Sequence, residues 1–428
     1  MNAWAALTLF GGFFGLLALG APLAVALGLA GAATIAHAGL GIMSIPANVY
    51  TGIAKYPLLA LPMFVLAGLV FERAGVAERL VRLATAVVGT RRGGLAIVAV
   101  IVCMFLGGIS GSGPADAAAV AMVMIPAMAR QGYPKPFSAG LIAAAGSTAI
   151  LIPPSIAFIV YSVLVPQASV PALFAGGIVP GLMAGMALMI PSLWFAWRNN
   201  WGGRADEVRP PFWKSLSEAG WGLAAPVIIL GGLRAGAFTP TEAAVVAAIY
   251  GFFVGIFVYR TIDARAAWAV LAESAEISAV VMLIVALSSV FAHAGSTLGV
   301  FDAFAKALIG TTGNGAVMLT IIMVMLLIAG MLLDAISIFF VFLPILIPIA
   351  LAFHWDLVWF GVLITMNLAI GQFTPPMAVN LMVTSRIAGV SMESTVPWVL
   401  WMVAAMTGAM ALVAAFPERF AGIVVANT

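Results

Sequence analysis

Charge is scarce in this chain. Of 428 residues, 18 are Lys or Arg and 15 are Asp or Glu, and the resulting balance of +3 is too small to point to a nucleic-acid partner. The single cysteine, Cys103, excludes an intrachain disulfide. The three histidines, His37, His293 and His354, all fall near predicted outer loops, where none makes a convincing ligand or base. No Walker A sequence occurs, so the chain offers no ATP site. The first apolar run lacks a basic leader, and hydrophobicity continues past Ala24-Val25-Ala26 to about Ala36. This stretch therefore reads as two uncleaved spans, not as a signal peptide.

What fills the chain is apolar. With 64% hydrophobic residues and a mean hydropathy of +1.18, it lies far outside the range of soluble domains and reads as an all-α polytopic membrane protein. Runs able to cross about 30 Å of hydrocarbon are predicted at 3–19, 22–38, 48–71, 137–165 and 172–197. A second set is predicted at 217–233, 240–259, 269–292, 357–385 and 396–416. Between the third and fourth members of each set lies a doubled apolar stretch, 93–130 and 315–352, assigned as a re-entrant hairpin.

Polar breaks interrupt these stretches in a fixed register. Gly107-Gly108-Ile109-Ser110-Gly111-Ser112-Gly113-Pro114 breaks the first hairpin, and Gly146 to Ser155, with Pro153-Pro154, breaks the span after it. In lipid such backbone must be buried in protein or line a wet cavity. Adding 222 takes Gly108 to Gly330, Ser112 to Asp334, Pro126 to Pro348 and Pro153-Pro154 to Pro375-Pro376. Corresponding interrupted segments in two halves are the sequence pattern of a membrane carrier's binding site. Five crossings per half is an odd number, so the halves enter the membrane in opposite senses. The expected organisation is an inverted repeat at 1–197, a cytoplasmic linker at 198–216 and a second repeat at 217–428.

Charge placement gives the orientation. With both termini outside, Arg73, Arg79, Arg82, Arg91, Arg92, Arg130, Lys135, Arg198, Arg204, Arg209, Lys214, Arg260, Arg265 and Arg386 are cytoplasmic, and only Lys55, Arg234, Lys306 and Arg419 lie outside. This is the asymmetry that the positive-inside rule requires. Residues 72–88 alternate charge with Val76, Leu80, Leu83 and Val87 as an amphipathic helix along the interface, with a counterpart near 298–309. Trp194, Trp197, Trp268, Trp355 and Trp398, near span ends, read as interfacial anchors.

The breaks carry the chemistry. A helix ending near Ile109 offers carbonyl oxygens to a small cation, and one starting at Pro114 offers amides and a positive dipole end to an anion. Ser110, Ser112, Ser147 and Thr148 add oxygens in one half, and Asp334, Ser337, Gln372 and Thr374 in the other. Hard oxygen ligands without His or Cys suit sodium. The expected sodium ligands are Ser110, Gly111, Ser112, Ser147, Ile150, Gly330, Asp334, Gly371 and Thr374. The expected substrate site is Ser112, Thr148, Pro154, Ser155, Thr374, Pro376 and Asn380. Small residues for close helix packing are the competing reading of the glycines and serines. Asp116 reads as a first-turn acid favoured by the helix dipole, and Glu242 as part of a capping box with Thr239. Asp334 reads either as an ion ligand or as the cap of the second hairpin helix. Gly108-Ile109-Ser110-Gly111 also matches the pattern of intramembrane serine proteases, but no histidine is placed to activate Ser110.

Leu58-Leu59-Ala60-Leu61-Pro62-Met63-Phe64-Val65-Leu66-Ala67-Gly68, the Ser110-Gly111-Ser112 tip, Gly132-Tyr133-Pro134, Ile152-Pro153-Pro154-Ser155, Pro180-Gly181, Thr241-Glu242, Asp334 and Thr374-Pro375-Pro376 together resemble one family. It is the large membrane subunit of tripartite ATP-independent periplasmic (TRAP) transporters, which often carry a second serine where this chain has Gly113. The resemblance implies an elevator-type symporter of the bacterial inner membrane, usually sodium-driven, with organic-acid substrates and no enzymatic activity or bound cofactor. It also implies a small membrane (Q) subunit and a periplasmic substrate-binding (P) protein as partners, in surrounding lipid. A divalent-anion/sodium symporter that needs no binding protein, and a passive channel, are the alternatives. The charge count predicts that a cysteine replacing Lys306, in a chain lacking Cys103, reacts with an impermeant thiol reagent in intact cells. Labelling of position 204 from outside would reverse the orientation.

Overall fold

The computed structural model describes residues 3–89, 91–203 and 209–417. Arg204 and Arg419, both counted in the charge asymmetry, lie outside the described residues, as do both chain ends. Among the described residues every regular element is helical. In chain order they are α1 (Trp4–Ala18), α2 (Leu23–Ala38), α3 (Ser44–Ile53), α4 (Ala60–Arg73), α5 (Val76–Val88), α6 (Gly94–Ser110), α7 (Gly113–Arg130), α8 (Lys135–Ser147), α9 (Ile156–Leu164) and α10 (Val170–Arg198). After the linker come α11 (Phe212–Arg234), α12 (Pro240–Phe253), α13 (Ala264–Thr297), α14 (Val300–Ile309), α15 (Gly315–Gly330), α16 (Ala335–Ala352), α17 (Leu357–Gly371), α18 (Val379–Ala388) and α19 (Met392–Ala415). Among the described residues, seven helices are long and apolar enough to cross a membrane by length and composition.

Several boundaries differ from those predicted, each for a local reason. The span expected at 48–71 is two helices, α3 and α4, separated by an extended Lys55 and a 3-10 turn at Tyr56–Leu59. Pro57, which has no amide to donate, stands in that turn. Lys55 reaches across to donate from Nζ to the Val163 carbonyl at 3.1 Å. Residues 72 and 73 complete α4 instead of joining the interfacial helix, because Gly75 (φ +72°) turns the chain before α5 starts at Val76. The span expected at 269–292 is the 34-residue α13, capped by the Asp263 side chain on Ala266 N, and about 51 Å long at 1.5 Å per residue. Helix α11 begins at Phe212, inside the expected linker. Arg209, from the remaining linker, donates to the last carbonyls of α5 at Ala86 (2.7 Å) and Val87 (3.0 Å). The Thr239–Glu242 capping box is present.

Helix starts recur at the offset read from the sequence: 113 and 335, 135 and 357, and 170 and 392 are each 222 apart. Helices α7 and α16 are both 18 residues long.

Packing sorts the helices into two neighbourhoods. Helix α13 lies along α2, α3 and α4, with α12 against α4 and α11 against α5. The hairpin α6–α7 packs with α8 and α18, and α19 packs on α8 and α10. Phe137, Phe195 and Trp398 lock these last three together, with Phe195 and Trp398 centroids 5.0 Å apart. Trp398 and Trp355 are thus partly buried in aromatic clusters, while Trp194, Trp197 and Trp268 stay exposed. One end of α4 and α5 gathers charge: Arg73 meets Glu273 at 3.7 Å, Arg82 meets Glu218 at 3.2 Å, and Arg79 stacks on Tyr259.

Glycines allow backbone contact where the broken helices meet. A Cβ on Gly107 would stand 2.5 Å from Ala149 Cα, and one on Gly371 would stand 2.8 Å from Gly330 Cα. Neither neighbour is a flexible side-chain tip, so the added atom must move main chain. Gly371→Ala should therefore lower the melting temperature of the purified protein in detergent, by about 1–3 kcal/mol of overpacking strain. Gly408→Ala, whose methyl meets nothing within 4 Å, should be neutral or stabilising in the same assay.

Candidate functional site

The tip of the first hairpin is shaped by what its backbone must avoid. Helix α6 ends at Ser110, and Gly111 takes a left-handed conformation (φ +61°) against the chain at Pro154, whose carbonyl would lie 2.6 Å from any Cβ there. Ser112 is the N-cap of α7, in extended conformation, and its side chain caps nothing. Ser110 Oγ accepts from Ser112 N (3.1 Å) and donates to the Asp116 carboxylate, both of whose oxygens stand 2.7 Å away. Asp116 is buried, and its expected role as a simple first-turn acid is incomplete: it holds a predicted ligand in place. The six-residue spacing across a two-residue break is the only signal the sequence carries for this pairing.

The second tip is built differently on the same register. Asp334 is the N-cap of α16 and accepts from Ile336 N (3.1 Å), Ser337 N (3.4 Å) and Ser337 Oγ. Capping, one of its two sequence readings, is what this geometry provides. The breaks beside the tips each contain a cis proline, Pro153-Pro154 and Pro375-Pro376. Their hydroxyls turn inward: Ser147 donates to Ala144 O, Thr148 to Ala145 O, Ser155 to Ile150 O and Thr374 to Ile370 O, all between 2.6 and 2.8 Å.

A cavity of about 200 Å³ lies between the two tips. Of the predicted residues, Ser110, Gly111, Ser112, Ile150 and Asp334 line it. Ser147, Thr148, Pro154, Ser155, Gly330, Gly371, Thr374, Pro376 and Asn380 stand outside that lining, in the breaks and helix ends behind it. The remaining wall comes partly from α4 (Gly68, Leu69) and α13 (Ile277, Val281), which sequence reasoning did not place there because they carry no polar group. Gln372, noted in the sequence only as one oxygen among several, also faces the cavity. No lysine or arginine lines it. No histidine does either, and Ser110 Oγ is taken up by the Asp116 carboxylate and the Ser112 amide. Among the described residues no group of three or more His, Cys, Asp or Glu could hold a metal ion.

Residues 10–419 match the family described as "Tripartite ATP-independent periplasmic transporter, DctM component". The chain belongs to this family. The TRAP permease is 41% identical over 419 residues to the isethionate TRAP transporter permease protein DctMQ of Oleidesulfovibrio alaskensis, covering 97% of this chain and 66% of that one. It is 36% identical to the C4-dicarboxylate TRAP transporter large permease protein DctM of Rhodobacter capsulatus (93% and 95% covered). It is 37% identical to the 2,3-diketo-L-gulonate TRAP transporter large permease protein YiaN of Escherichia coli (92% and 94% covered). Among solved structures, the YdaH transporter of Alcanivorax borkumensis shares the fold, with a TM-score of 0.64 at 13% identity and 88% of each chain covered. The TRAP permease is thus a multi-pass membrane transport subunit and not an enzyme.

The Ser110–Asp116 bond should be separable from transport in a double-mutant cycle. Ser110→Ala removes the side chain that donates to a buried carboxylate and should destabilise the protein in detergent by about 1.5–3 kcal/mol. Adding Asp116→Asn should recover part of that loss; strictly additive losses in the thermal unfolding of the four proteins would show the two residues to be uncoupled.

Proposed function

We propose that this TRAP permease imports an organic acid across the bacterial inner membrane by sodium symport, receiving it from a periplasmic binding protein and working beside a small membrane subunit. The observation that carries the reading is the cavity between the two hairpin tips, where two helix N-termini of different character meet. The N-terminus of α7 lacks a side-chain cap at Ser112, which leaves its positive end available to a carboxylate. The N-terminus of α16 is already covered by Asp334, whose charge has no lysine or arginine beside it in the lining and so favours a cation. Sodium there would offset the charge of the acid held a few ångströms away. Hard oxygens are its expected ligands: Asp334, Ser110, Ser112 and main-chain carbonyls near Gly111, Ile150, Gly330, Gly371 and Thr374. A small volume suits a compact acid, and the relatives' names span isethionate, C4-dicarboxylates and 2,3-diketo-L-gulonate. The name DctMQ, on a relative longer than this chain, supports a partnership with a Q subunit.

The shared 222-residue offset supports two repeats, and their odd number of crossings supports opposite senses in the membrane, with both termini outside. In that arrangement α6–α10 and α15–α19 form the moving body of an elevator, while α4, α12 and α13 form the wall it slides along. The substrate would be enclosed between the tips and carried with them. A passive channel is the competing class, and a continuous polar pore would be needed for it.

Reconstitution separates these readings. Uptake of a labelled C4-dicarboxylate into proteoliposomes holding the large and small subunits should require both a sodium gradient and the binding protein. Uptake without the binding protein would favour the simpler symporter, and flux indifferent to sodium would favour the channel. Asp334→Asn keeps the capping oxygen and removes the charge, so half-maximal uptake should need about tenfold more sodium, as expected for losing a charged ligand contact. An unchanged sodium dependence in a well-expressed variant would leave Asp334 as a cap only.

A further inference from the structure

Behind the first hairpin tip, two buried carboxamides are oriented so that each leaves an oxygen unused. Asn380, at the start of α18, is fully buried, and its Nδ2 donates to the Ala143 carbonyl at 3.2 Å. Its main-chain N–H donates to the Gln372 carbonyl at 3.1 Å, which straps the two residues together across the Pro375-Pro376 break. Asn380 Oδ1 and Gln372 Oε1 both lack a donor. Both side chains also crowd Gly113: a Cβ there would stand 2.6 Å from Gln372 Oε1, 3.2 Å from Asn380 Nδ2 and 3.4 Å from Asn380 Oδ1. Two buried acceptors crowding one glycine without a donor is an arrangement that half a turn of one carboxamide relieves. Asn380 is held by its bond to Ala143, so the turn falls to Gln372. In that orientation Nε2 would face Asn380 and the oxygen would take the side away from it; Gln372 itself lines the cavity.

We propose that Gln372, oriented by Asn380, presents its carboxamide oxygen to the cavity and accepts a hydrogen bond there from an O–H group of the substrate. The acid carried by this TRAP permease therefore bears a hydroxyl close to its carboxylate. This rests on the reading of the cavity as the substrate site. Gln372 stands beside Gly113, the first residue of α7, so its carboxamide lies next to the end that attracts the carboxylate and repels a cation. A neutral donor on the same molecule is the group that suits both neighbours. Gly113 belongs to the device, since any side chain there would displace the Gln372 tip. Asn380 is a positioning residue: it acts through Gln372 and does not itself line the cavity.

The test compares uptake of malate and succinate, which differ by one hydroxyl. One binding-protein preparation is used throughout, with each acid at a saturating concentration, so a change in the ratio belongs to the membrane subunit. Wild type should favour malate by at least about tenfold, because a site built to bond a hydroxyl rejects the analogue lacking it. Gln372→Leu and Asn380→Ala should each bring the ratio toward one, and the double variant should go no further than either alone. Gly113→Ala keeps both amides and should lower the ratio by displacing one of them, which guards against loss of folding in the other variants. A wild-type ratio of one overturns the proposal, as does a ratio unchanged in all variants that still transport. A raised sodium requirement at constant ratio would make Gln372 a cation ligand instead. Absence of any binding-protein-dependent uptake by wild type would strike at the transport reading itself, and the hydroxyl subsite would fall with it.

Discussion

A helix that stops inside hydrocarbon leaves amides and carbonyls that water cannot reach, and the rest of this structure is an answer to that problem. Four interruptions occur, two hairpin tips and two proline breaks, and each is placed against another. The backbone at Gly111 lies against Pro154, and Gly330 lies against Gly371. Hydroxyls near the breaks donate to carbonyls of the preceding turn, and Ser155 also accepts from Phe158 N. Exposed singly, any of these interruptions would be costly; gathered, they shield one another, local hydrogen bonds satisfy their hydroxyls, and the tips enclose a small space walled mostly by apolar groups.

The two tips share a register and differ in chemistry. At one, a serine stands at the cap position without capping, and a buried acid is held behind it by Ser110. At the other, an acid caps the helix directly. Tips in the same register therefore yield a polarised cavity, with an open helix terminus facing a carboxylate. In a chain with so few charges, that difference is most of what the cavity has for telling one end of a ligand from the other.

Much of this was legible because backbone rules in a membrane are severe. Proline pairs and glycine runs mark the breaks, and the 222-residue spacing aligns them. What the sequence could not supply was the direction in which each polar side chain turns. Thr148 and Thr374 read as lining residues because they sit in the breaks, yet their hydroxyls are taken up by local carbonyls. Asn380 read as a contact residue and stands behind the cavity. Lys55 falls within the span expected at 48–71 and is counted only as an outside charge, and its reach to Val163 across 108 residues of chain has no local signature. The apolar wall from α4 and α13 was invisible for the opposite reason, since Gly68, Ile277 and Val281 look like any other residues of a span.

The contact between Gly330 and Gly371 also bears on how such a chain can vary over time. Every single-base change that replaces a glycine adds a side chain or ends translation, and here the first atom of any side chain stands within 3.2 Å of main chain. Enlarging either position displaces main chain at the other, so a change at one glycine alters the cost of a change at its partner, and the two sites are coupled through backbone instead of through side chains.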